Sequence, residues 1–154
     1  MSEVERITDQ LQRAFEGNAW HGPSVREVLE GVTAEQAARY PAPQGHSIWE
    51  IALHIAVWES IVRRRLAGEV IVEISDEEDW RRPADTSAVA WKKTLEELQH
   101  GHQQLQQTVA GLSDEQLQAT VSGKDYSVYF MLHGVVQHDL YHAGQIALLK
   151  KAVS

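Results

Sequence analysis

Trp91, Leu95, Leu98, His102, Leu105, Val109 and Leu112 recur at alternating spacings of four and three residues, a stripe that an α-helix gathers on one face. Ser87 precedes the stripe and Gly111 sits near its end, so the pattern specifies a helix of about seven turns with a cap at each boundary. A helix with one apolar face is stable only when that face is covered, and the rest of the chain must supply the cover.

Three other stretches carry the same period. Ile7, Leu11 and Phe15 mark a first helix over about Val4 to Glu16, which Gly22-Pro23-Ser24 interrupts before Val25, Val28 and Leu29 resume the pattern, as in a broken or kinked helix. The capping box Thr33-Ala34-Glu35-Gln36 starts a short helix that Pro41 and Pro43 end. A second box, Ser47-Ile48-Trp49-Glu50, opens a long helix with Ile51, His54, Ile55, Trp58, Ile61, Val62 and Leu66 inward and Gly68 at its close. A third, Ser113-Asp114-Glu115-Gln116, begins a helical turn, and Ser122 to Asp125 form a loop. The last long helix covers about Ser127 to Ala152, with Val128, Met131, Val135, His138, His142, Gln145, Ile146 and Leu149 inward. Between the second and third long helices, Glu69 to about Thr86 has little helical pattern and reads as an extended crossover; Val70 to Ile74 could be a strand but has nothing to pair with. The expected fold is all-α, a four-helix bundle in one domain over residues 1–154.

Composition narrows the function. No apolar run approaches the roughly 20 residues that cross a bilayer, and the N-terminus lacks a basic start followed by an apolar stretch, so a cytoplasmic protein without a membrane partner is expected. A formal charge of −8 opposes binding to nucleic acid, and Arg63-Arg64-Arg65 reads as a solvated helix surface. The absence of cysteine excludes a thiolate ligand or a cysteine nucleophile, so any thiol chemistry requires an external thiol.

His138 and His142 lie one turn apart on the inward stripe of the last helix, a spacing that lets two imidazoles hold one divalent ion. His54 lies roughly 10 Å into the second long helix, and the pair lies roughly 13 to 20 Å from the end of the last one at 1.5 Å per residue. In an antiparallel arrangement the three come to one depth. Three neutral imidazoles suit a transition metal such as Zn, Ni or Fe and leave open coordination positions. The competing reading is a set of buried imidazoles with hydrogen-bond partners, which is also the reading for His102; His21, His46, His100 and His133 carry no signal.

The segments Ser47-Ile48-Trp49-Glu50-Ile51-Ala52-Leu53-His54-Ile55-Ala56-Val57-Trp58-Glu59 and His138-Asp139-Leu140-Tyr141-His142-Ala143-Gly144-Gln145-Ile146 resemble the two signature segments of the DinB/YfiT-like superfamily. The resemblance implies a bundle of up-down-down-up course and one divalent transition metal held by His54, His138 and His142. It also implies a small-molecule substrate: characterised relatives include S-transferases using bacillithiol or other low-molecular-weight thiols and a mycothiol-dependent maleylpyruvate isomerase.

On that basis the metal would lower the pKa of an external thiol and aim the thiolate at an electrophile. Gln145 and Glu50, each one turn from a candidate ligand, are supporting candidates, with Glu50 also needed in its capping box. Tyr141 and Asp139 could orient an imidazole, or face a neighbouring helix or the partner subunit of a homodimer. Trp58 reads as core rather than substrate platform, and Gly144 as a point of close helix packing. A hydrolase using metal-bound hydroxide and a metal-binding stress-response protein without turnover are the alternatives.

Overall fold

A computed structural model describes all 154 residues. Its helices are α1 (Glu3–Phe15), α2 (Val25–Leu29), α3 (Ala34–Ala38), α4 (Ile48–Leu66), α5 (Asp76–Asp79), α6 (Ala88–Ala110) and α7 (Val128–Val153), with a 3₁₀ turn at Asp114–Gln118. Four of these are long, and there is no strand beyond two isolated bridges, Ala19 to Gly22 and Thr120 to Ser127. The architecture is a helical bundle. Capping explains most of the starts: Ser2, Ser24, Thr33, Ser47 and Ser113 each form a reciprocal box with the Glu or Gln three residues on. The interruption after the first helix is complete, since Asn18 (φ 61°) and Gly22 (φ 140°) turn the chain before Ser24 caps α2 as a separate helix.

The core divides in two. One apolar cluster joins Phe15, Val28, Trp49, Ile51, Trp91, Leu98, Ile146 and Val153. The other joins Val4, Ile7, Leu11, Val62, Leu105, Val109, Met131 and Leu132. Along α4, α6 and α7 the residue between the two clusters is polar: Glu59, His102 and Asp139, all buried. The first turns of α4 thus share a cluster with the last turns of α7. At the opposite end, Arg65 donates to Tyr126 Oη just ahead of α7 at 2.9 Å.

The crossover is extended where expected and also holds α5, capped by Ser75. Its anchor corrects the expectation for the arginine run. Arg65 is only 7% exposed, and its Nε and Nη2 donate to Ile71 O at 3.0 and 2.7 Å. Val70 and Val72 then pack over Gly123, which has φ +80° and where a Cβ would meet Val70 Cγ1 at 2.8 Å. No helix is long and apolar enough to cross a membrane.

Candidate metal centre

α4 and α7 deliver His54, His138 and His142 to one point, with His54 and His142 each 5% exposed and His138 partly buried. His54 Nε2 lies 3.0 Å from His138 Nε2, which lies 3.1 Å from His142 Nε2. The other ring nitrogens decide what these contacts are. His54 Nδ1 is 2.9 Å from the Asp79 carbonyl oxygen and 2.9 Å from Asp79 Oδ1. Both can only accept from a neutral imidazole's N–H, so Nδ1 carries the proton and Nε2 a lone pair. His142 Nδ1 faces Gln145 Oε1 at 2.7 Å with the same consequence. The lone pairs of His54 and His142 both converge on His138 Nε2, and a cation bonded to such nitrogens at about 2.0–2.1 Å would hold them roughly 2.8 to 3.4 Å apart, between right-angle and tetrahedral geometry, a range that includes the two contacts. The residues therefore fit a metal ion, and the histidine-rich buried group is compatible with one.

Burial lowers the pKa of all three imidazoles, opposed by Asp79 at His54, by Asp139 at His138 and by Gln145 at His142. The neutral form, which is the one that binds metal, is favoured.

The crossover supplies the outer wall, which the sequence reading did not anticipate. Trp80 stacks flat on His54 with ring centroids 3.8 Å apart, and His46 stacks on its other face at 3.6 Å. Trp58, half-buried, donates from Nε1 to Asp79 Oδ1 at 2.7 Å. Ser75-Asp76-Glu77-Glu78 carries the capping pattern that signals α5, and thereby the position of Asp79 and Trp80, within an otherwise non-periodic segment.

Gln145, a supporting candidate from the sequence, places Oε1 where it accepts from His142 Nδ1. Glu50 is committed to its cap: Oε2 accepts from Ser47 N at 2.9 Å, and Oε1 lies 3.5 Å from Arg82 Nε. Tyr141 is 66% exposed and meets His142 only edge-on at 5.1 Å. Gly144 corrects an expectation, because a Cβ there would meet nothing within 4 Å and the position faces solvent. Asp139 turns away from His138, whose Nδ1 is 3.8 Å from its nearer oxygen, toward α4 and α6.

There Asp139, Glu59 and His102 form a second buried group, with possible ligand atoms within 4.8 Å of one another. His102 is the buried, partnered imidazole expected of it: Nδ1 is 2.8 Å from Glu59 Oε1, and Phe15 stacks on its ring at 3.9 Å. Burial pushes Glu59 up to about 8 and His102 down to about 4, and burial with the Glu59 charge raises Asp139 well above the carboxylate range. This layer is sealed; the histidine group borders a cavity reaching His138.

A helical bundle with a buried imidazole group compatible with a metal is the class that fold and site define. The DinB superfamily model matches residues 19–146, and the chain belongs to that family. No curated protein and no solved structure matches it.

Proposed function

We propose that the protein binds one divalent transition metal through His54, His138 and His142, Zn or Ni by preference, and acts as a thiol-dependent S-transferase or isomerase on small electrophiles. The observation that carries the reading is the convergence of three Nε2 atoms, two of them on imidazoles whose Nδ1 protons are already engaged. The opposite directions of α4 and α7 support it by bringing the two sequence segments to one depth, and the proposal includes an up-down-down-up course for the four long helices.

When bound, such an ion supplies a positive charge that favours the thiolate form of a coordinated external thiol near neutral pH. The chain's own residues do the rest. Asp79 and Gln145 fix the ring orientation and tautomer of His54 and His142. Trp80 covers the His54 face and keeps water from it. With no cysteine in the chain, the nucleophilic sulfur comes from outside.

The test measures metal content after removal of loosely bound ions, then turnover of a panel of electrophiles with bacillithiol, mycothiol and glutathione. About one ion per chain is expected, with thiol-dependent turnover lost in His142→Ala. Metal retention in all three single His→Ala variants would refute the ligand set. Robust hydrolysis without thiol would move the assignment to metal-hydroxide chemistry.

A further inference from the structure

Arg65 is a buried guanidinium with no carboxylate partner. Its hydrogen bonds go to two neutral acceptors, Ile71 O and Tyr126 Oη, and its charge lies 6.0 Å from the Trp58 ring centroid. A guanidinium stays charged at any ordinary pH, and burying it without an anion is unfavourable. Yet this one lines a cavity of about 260 Å³ whose other walls are largely apolar: Trp58, Val62, Phe130 and Val135. His138 closes the same cavity, so whatever fills it lies beside the histidine group.

We infer that this cavity binds a small organic acid, with its carboxylate on Arg65 and Tyr126 and its apolar body against Phe130 and Val135, next to His138. Arg65 retains N–H groups beyond the three bonds it makes, and a guanidinium with a neighbouring phenol hydroxyl matches a carboxylate's two oxygens. The volume sets the size: it lies just below the ~300 Å³ at which ligand pockets begin, so the acid is about as large as one ring with a short side chain. Phe130 is 64% exposed, which leaves the apolar end open to solvent and gives the ligand a route in. The inference deepens the proposed function by naming the electrophile's class and rests on that reading only for what happens to the ligand once bound.

The experiment titrates the full-length chain, metal-free and zinc-loaded, with phenylacetate and with its neutral isostere phenylacetamide, following calorimetric heat and the total tryptophan fluorescence. The metal-free arm is decisive, since a carboxylate there has no bound metal to coordinate. Phenylacetate should bind at least tenfold more tightly than the amide in both forms, and Arg65→Met should erase the difference. Because Arg65 also anchors the crossover, Gly134→Leu provides a second variant. Gly134 lines the cavity and its Cβ position is open, so this change should not lower the melting temperature while weakening both ligands at least tenfold. Equal affinity for acid and amide, or unaltered binding in Gly134→Leu, overturns the inference. Acid preference in a chain that shows no thiol-dependent turnover would sink the proposed function and leave the pocket standing. Turnover without acid preference would do the reverse.

Discussion

Glu59→Gln should convert a pH-sensitive core into a flatter one. Glu59 is 1% exposed, and burial raises its carboxyl to about 8 from an ordinary 4.5. A carboxyl with a raised folded-state pKa contributes stability that is complete below pH 4.5, where folded and unfolded chains both hold the proton. That contribution declines with rising pH and is gone by about 8. His102 works in the opposite sense. With its folded value lowered to about 4 from 6.5, its contribution is complete above 6.5 and is lost as pH falls toward 4. Between 4.5 and 6.5 the two slopes roughly cancel, and from 6.5 to 8 the Glu59 slope stands uncompensated. At about 1.4 kcal/mol per pH unit that window amounts to about 2 kcal/mol, or about 4–8 °C in melting temperature for a chain of this size. Gln has the same shape and no charge to acquire. Removing the Glu59 charge also relieves Asp139, whose rise it contributes to, which acts in the same direction. The assay is chemical denaturation of metal-free protein and variant at intervals from pH 6 to 8.5. The variant's decline across that range should be smaller by about 2 kcal/mol. Parallel curves would refute the reasoning, because they would mean that Glu59 is already ionised in the folded core.

Gln145→Leu removes the acceptor that orients His142 and should weaken metal binding by about 10- to 100-fold with the helical signal unchanged, read by competition with a chelator. Bound metal should raise the melting temperature and be released as pH falls and the imidazoles protonate, which melts of apo and loaded protein across pH 5 to 8 would check. Gly144→Ala should be neutral or stabilising by about 0.5–1 kcal/mol, since the new Cβ meets nothing within 4 Å. Gly123→Ala should destabilise by more than about 1 kcal/mol, since φ is +80° and Val70 is in the way. Thermal melts of the pair measure both changes.

The local code of this chain is largely readable. The three-four period in α6, the capping boxes ahead of α3, α4 and the 3₁₀ turn, and the turn-rich breaks place the long helices because backbone hydrogen bonding and face burial are settled within a few residues. The same period put His54, His138 and His142 on inward faces, and a rise of 1.5 Å per residue brought them to similar depth once α4 and α7 oppose each other. Periodicity says nothing about segments without a period. Asp79, Trp80 and Ile71 lie in the crossover, and only its path over the bundle puts them against His54 and Arg65. Periodicity also describes one helix at a time. Asp139 flanks the expected stripe of α7, and Arg65 sits in a run that reads as solvated; both are buried because neighbouring elements cover more than one face of their helix. The four long helices and the candidate ligands were therefore a property of the sequence by itself. The wall around those ligands, the polar layer of Glu59, His102 and Asp139, and the cavity with its uncompensated arginine were decided by tertiary packing, because each depends on which surfaces meet.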